Sequence, residues 1–159
     1  MKRTQDLKAQ YQLQMDEEGI LLAAARILEG RLQRQGRIHS PEQAGSYLVA
    51  RCAHLSHEVF GVVFLDNKHH ILATEHLFSG TIDGCEVHPR VVAKRALELN
   101  AVAVILFHNH PSGNPEPSQA DRQVTKRLQE ALGLLDIRVI DHLVIGGRQH
   151  VSLAARGWA

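Results

Sequence analysis

Cysteine is almost absent from this 159-residue chain: Cys52 and Cys85 stand alone, far apart and without Cys-x-x-Cys spacing. Two such thiols give no disulfide framework, and a bridge is not expected in a reducing compartment. Both read as ordinary thiols, Cys52 on the inner face of a helix and Cys85 in a turn. Long apolar runs are missing too, and no segment approaches the roughly 20 residues needed to span a bilayer. The start, Met1-Lys2-Arg3-Thr4-Gln5-Asp6, lacks the apolar core of a signal peptide, so the expected location is cytoplasmic. Excess charge of one sign is also lacking. Eighteen basic and 17 acidic residues leave a formal net charge of +1, which does not indicate a nucleic-acid partner. A local basic patch at Arg122, Lys126 and Arg127 is read first as a solvated helix face. Internal repeats, low-complexity stretches and long linkers do not occur.

What remains is ordinary globular material, 44% hydrophobic and 22% charged, enough for one core. Residues 17–35 are apolar at Ile20, Leu21, Ala24, Ile27, Leu28 and Leu32, a helical spacing that should bury one face. This helical lead-in (1–36) precedes a domain at 37–159, and its helix either packs on that domain or pairs with a second copy in a homodimer. Ser40-Pro41-Glu42-Gln43 opens a second helix with a capping residue, a first-turn proline and a box-completing glutamine. Strands near 59–65 and 70–81 flank an Asp66-Asn67-Lys68 turn, and His69 and His70 beside it read as surface residues. Pro89 opens a helix running to Leu99, and His88 before it is read as a hydrogen-bonding residue, with a supporting role near the site as the alternative. Residues 101–107 form an apolar strand covered on both sides. A helix from Ser118 to about Leu132 follows, and closing strands at 137–145 and 149–153 are joined through Gly146-Gly147. The order predicts an α/β sandwich with a mixed sheet between helices.

The chemistry concentrates in His108-Asn109-His110-Pro111-Ser112-Gly113-Asn114-Pro115-Glu116-Pro117-Ser118-Gln119-Ala120-Asp121. A residue before proline favours extended geometry, so His110 should prolong the strand. Side chains two apart on a strand share a face, which lets His108 and His110 reach one ion. Asp121 would arrive from the next helix as a third ligand. Two imidazoles and a carboxylate suit Zn2+, and three protein ligands leave a fourth position open, as in catalytic rather than structural sites. Ser118 and Asp121 also form a helix capping box that needs no metal, and the two readings are compatible.

The spacing H-x-H, seven residues, S-x-x-D resembles the JAMM (MPN/JAB) metalloprotease signature. With His88-Pro89-Arg90, Arg95-Ala96-Leu97, His108 to Gly113, and the tail Asp136 to Leu143, the text from about Ile38 onward resembles the RadC family still more closely. Full-length RadC proteins carry an N-terminal helix-hairpin-helix region, and the length here predicts a short stand-alone relative without it. The resemblance implies the cytidine-deaminase-like (JAB/MPN) fold and a zinc metallohydrolase acting on a peptide or isopeptide bond of an unidentified substrate. It also implies an upstream general base in a Glu-x-x-Gly context. Glu58-Val59-Phe60-Gly61 supplies that context, with Glu75 as the competitor. Ser118 would then hydrogen-bond the oxyanion or the bound water.

Two other function classes stay open on the residues alone. One is a recognition module for a protein or DNA partner with vestigial hydrolysis, and the other a metal-dependent nuclease. A zinc nucleobase deaminase is disfavoured, because that chemistry needs a Pro-Cys-x-x-Cys segment.

Overall fold

The computed structural model describes residues 17–35, 37–80 and 86–159; the expectations placed on residues 1–16 and on Cys85 lie outside them. In chain order the elements are α1 (Glu17–Gln35), α2 (Pro41–Cys52), β1 (Glu58–Leu65), β2 (Ile71–Gly80), α3 (Pro89–Glu98), β3 (Ala103–Asn109), α4 (Gln119–Gly133), β4 (Arg138–Gly146) and β5 (Gln149–Ser152). A 3-10 turn at Ala154–Arg156 follows. The strands make one mixed sheet in the order β2-β1-β3-β4-β5, with β3 and β4 parallel and every other neighbouring pair antiparallel. Among the described residues no helix is long and apolar enough to cross a membrane.

Both faces of the sheet are covered. On one, Ala44, Tyr47, Leu48 and Cys52 of α2 pack on Val63, Leu65, Ile105, Phe107, Leu143 and Ile145. On the other, Val92 and Ala96 of α3 and Leu128 and Leu132 of α4 pack on Phe60, Val62, Phe64, Val104 and Leu106. This explains why β3 reads as an unbroken apolar run: alternate residues enter two different cores. Leu106, Leu128 and Leu132 are exposed by 1% or less, and truncating such a leucine to alanine costs about 2–5 kcal/mol.

Local signals act as the sequence suggests. Ser40 Oγ accepts the Gln43 N–H at 3.1 Å, but the Gln43 side chain reaches the N–H of His39 rather than that of Ser40. Asp66 organises the β1–β2 turn by accepting the N–H groups of Lys68 and His70 at 2.8 and 2.9 Å. Its second oxygen meets His70 Nδ1 at 2.8 Å. His69 takes the left-handed conformation there (φ 64°), so the two histidines are half-buried turn residues rather than plain surface ones.

Two expectations need correction. α1 packs on α2, and among its described side chains Ala25 is the buried one; Leu32, also expected on that face, lies outside them. Leu28 lies against the core, whereas Ile20 and Ile27, expected on the buried face, are 54% and 55% exposed. A helix lying against one other helix covers a narrower strip than its apolar pattern allows. The central strand begins at Ala103, two residues late, because Asn100 adopts φ 52° in leaving α3. The same strand then runs through His108 to Asn109. His110 lies just past it, yet its N–H still donates to Ile145 O at 2.7 Å.

One irregularity positions the site. Val104 pairs with Val139 but Ile105 pairs with Asp141, so Ile140 is an extra residue in β4. Ile137 and Val139 face the α3–α4 core, while after the bulge Leu143 and Ile145 face α2. A one-residue slip moves each following side chain to the other face. The bulge therefore turns His142 towards α4, beneath His108.

Candidate metal centre

His108 is the last residue but one of the buried strand β3, His110 opens the loop after it, and Asp121 stands in the first turn of α4. The three converge. His108 Nε2 lies 2.9 Å from His110 Nε2 and 3.0 Å from Asp121 Oδ1, and His110 Nε2 lies 3.4 Å from Asp121 Oδ2. Among the described residues this is the group of three whose donor atoms could hold one ion. Tetrahedral zinc, with bonds of about 2.0–2.1 Å, spaces its donors ~3.3 Å apart, and the observed triangle fits that spacing.

The capping box that needs no metal is present in full. Ser118 Oγ accepts the Asp121 N–H at 3.1 Å, and Asp121 Oδ2 accepts the Ser118 N–H at 2.7 Å. It fixes the start of α4 and hence the Asp121 carboxylate. Burial pulls the Asp121 carboxyl upward, but hydrogen bonds from His108 and His110, the charge of His108 and the Ser118 N–H outweigh it and hold the group well below the usual carboxylate range. Asp121 in turn raises His110, assisted by the Asn114 carbonyl and the negative charge of Glu58, against the opposing effect of burial.

The outer nitrogens of the two histidines are also held. His110 Nδ1 lies 2.9 Å from Asn114 O, and a carbonyl only accepts, so Nδ1 carries the proton and Nε2 is the free nitrogen of the neutral ring. His108 Nδ1 lies 2.8 Å from Nε2 of His142, whose Nδ1 lies 2.6 Å from Thr125 Oγ1. His142 is fully buried, and burial with the nearby charge of His108 pushes it well below the ordinary imidazole value. Phe60 stacks on the His108 ring and meets the His142 ring edge-on.

Glu58 is the first residue of β1 and shares the parity of Phe60, which pairs with His108. It therefore lies on the same face as the His–His–Asp group, close enough to influence His110. Asn109 holds its backbone from both sides: Oδ1 accepts the Val59 N–H at 2.8 Å and Nδ2 donates to His57 O at 2.9 Å. The buried carboxamide stands in for a peptide group where the β1–β3 ladder ends.

A scan against protein families matches residues 38–158 to the RadC-like JAB domain. This chain belongs to that family. Curated relatives agree over most of its length. A UPF0758 protein of Stutzerimonas stutzeri is 54% identical over 141 residues, covering 89% of this chain and 63% of the relative. One from Azotobacter vinelandii is 52% identical over the same extent, and one from Xanthomonas oryzae pv. oryzae is 56% identical over 135 residues, 85% of this chain and 60% of the relative. The chain thus spans about three-fifths of the length of these relatives.

In this RadC-like JAB domain the competitor Glu75 is engaged elsewhere. Its carboxylate takes the Arg95 guanidinium in a fork, at 2.7 to 2.9 Å, tying β2 to α3. His88 makes no side-chain cap; its ring packs edge-on against Phe78 and its Nε2 approaches Glu86 at 4.0 Å. Among the described residues, packing on Phe78 and the approach to Glu86 stand where a plain hydrogen bond was expected. In the supposed basic patch, Arg122 lies over the Trp158 ring, 5.0 Å from its centroid, and Lys126 faces Glu130. The site loop is pinned at its acidic end by Arg156, which grips Glu116 in a fork.

Sequence reasoning missed Asn109, Thr125 and His142. Asn109 sits inside the motif, but its partners lie across the sheet. His142 belongs to a stretch that resembles RadC, without a local cue to its task. Gly146 was read as a turn residue, yet a Cβ there would meet the backbone of Asn114 and Pro115 and Gly113 O, the last at 2.8 Å. It lets the site loop lie directly on β4.

Proposed function

We propose that this RadC-like JAB domain is a zinc-dependent hydrolase of peptide or isopeptide bonds. The observation that carries the reading is the convergence of His108 Nε2, His110 Nε2 and the Asp121 carboxylate within 2.9–3.4 Å, on the face that also holds Glu58. Zinc bound by these three residues would supply Lewis acidity, acidifying water at its open position and polarising a substrate carbonyl.

The side chains have separate tasks. Glu58 takes the proton of the attacking water and returns it to the leaving amine nitrogen. Ser118 Oγ already accepts the Asp121 N–H, so its own hydroxyl proton is available to the oxyanion that develops on the carbonyl oxygen. The capping box keeps that hydroxyl beside Asp121. Phe60 and His142 close the rear of the site with buried rings, so water and substrate approach from the exposed loop side.

The test is a panel of peptide and isopeptide substrates incubated with zinc-loaded protein and read by mass spectrometry, with Glu58→Gln alongside. The expected result is cleavage by the wild type and a loss of about 10²–10⁴-fold in Glu58→Gln, with zinc content unchanged. Full turnover in Glu58→Gln removes it from the mechanism. A zinc-loaded wild type that cleaves nothing in the panel favours a recognition module.

A further inference from the structure

Behind His108 runs a buried chain of hydrogen bonds whose direction can be read from its far end. Thr125 Oγ1 donates to the backbone carbonyl of Asp121 at 2.7 Å. A hydroxyl has one proton, so the 2.6 Å contact between Thr125 Oγ1 and His142 Nδ1 must be donation by the ring. His142 is then protonated on Nδ1. A second proton on Nε2 would place a charged imidazole in a fully buried position, which desolvation opposes. Its Nε2 is therefore a lone pair, and the group 2.8 Å away, His108 Nδ1, must donate to it.

We propose that His142, locked by Thr125, is a positioning residue that fixes His108 as its Nδ1–H tautomer and so presents the Nε2 lone pair to the cation site. His110 reaches the same state by a shorter route, through Asn114 O. With a cation in place of the inward protons, the three inward atoms then all accept: two imidazole Nε2 lone pairs and a carboxylate. The chain also joins two ligands, because it begins at the side chain of His108 and ends on the backbone of Asp121. Outer contacts of this kind orient metal-binding histidines and raise their basicity. Here the acceptor is a second histidine, delivered to the correct face by the Ile140 bulge. Its ring is held against Phe60 and His108 at centroid distances of 5.5 and 4.9 Å.

The purpose of the relay rests on the zinc reading, but its hydrogen-bond direction does not, and the two are tested separately. Long-range proton–nitrogen correlation spectra of zinc-free, ¹⁵N-labelled wild type report which nitrogen of His108 and of His142 carries the proton. Both rings are expected to carry a proton on Nδ1, and Nε2 of His108 can hold a further one shared with Asp121, 3.0 Å away, until zinc replaces it. A His108 without a proton on Nδ1 overturns the proposal outright.

Zinc affinity is then measured by competition with a chromophoric chelator, with thermal melts run on each variant. His142→Phe, which cannot accept, should lose about 10–100-fold. His142→Gln, whose carboxamide oxygen can still accept from His108 Nδ1, should regain most of that loss. Thr125→Val, close in shape, should leave the His142 tautomer mixed and weaken zinc about tenfold. Unchanged zinc affinity in folded His142→Phe and Thr125→Val, together with an unaltered His108 spectrum in Thr125→Val, contradicts the relay. Should His142→Phe fail to fold, the wild-type spectrum and the Thr125 variant still decide. An Nδ1–H His108 in a wild type that binds no zinc keeps the relay and rejects the hydrolase reading instead.

Discussion

Asn109 Oδ1 accepts the backbone N–H of Val59 at 2.8 Å, fifty residues away along the chain, while its Nδ2 donates to His57 O on the other side of Glu58. The middle residue of the His-x-His motif thus fixes the strand that carries the proposed base, and the outer two face the candidate cation site. Three consecutive residues divide two jobs between opposite faces of β3.

Asn109→Ala should remove the clamp without touching the donor triangle. It leaves the buried Val59 N–H unpaired, which costs on the order of 1–3 kcal/mol, measurable as a lower urea midpoint. Zinc affinity should stay near wild type while turnover falls, because Glu58 loses its fixed position. A variant that loses zinc and stability together would place Asn109 in the metal centre's own support.

Gly146→Ala tests whether the site loop must lie on β4. The added Cβ meets backbone of the loop rather than the tip of a flexible side chain, so the loop has to move. Overpacking of this kind costs about 1–3 kcal/mol. Displacing Asn114 also withdraws the carbonyl that orients His110, so zinc affinity should drop on the order of tenfold. Chelator competition reads the change, and wild-type affinity would show that His110 is oriented without the loop.

Cys52 gives a prediction about pH. Burial pushes its thiol from the ordinary 9.0 up to about 12, with Arg51 opposing. Between those values the unfolded chain has released a proton that the folded chain keeps, so the folded state binds more protons and stability falls as pH rises. The contribution is complete below pH 9 and is lost as pH approaches 12. Urea unfolding at about pH 8 and about pH 11 should show a larger loss for wild type than for Cys52→Ala. Equal losses would mean that the thiol is not sequestered.

Which parts of this were legible in the sequence follows from the range of the interactions. His108, His110, Ser118 and Asp121 sit in one short window, where strand periodicity and capping chemistry are local rules, and the structure brings them together. The same holds for the Ser40 and Asp66 turns and for the hairpin ending at Gly147, which adopts φ 57°. The Ile140 bulge was not legible. Strict alternation from Ile137 and Val139 groups Asp141 with them and sends His142 to the opposite face, and only pairing with β3 reveals the extra residue. Asn109 and Thr125 were hidden for a related reason: each looks like an ordinary polar residue until the sheet or helix neighbour is known. The face of α1 was misjudged because its apolar residues outnumber the positions that α2 can cover.

Whether His108, His110 and Asp121 hold an ion is decided by the zinc content of protein purified without chelator or metal-affinity resin, compared with a His108→Ala/Asp121→Ala double variant by inductively coupled plasma mass spectrometry. About one zinc per wild-type chain is expected, as for one three-ligand site, and none in the double variant. A wild type that holds no zinc even after zinc is added would contradict this, and would leave the Ser118–Asp121 pair as a helix cap alone.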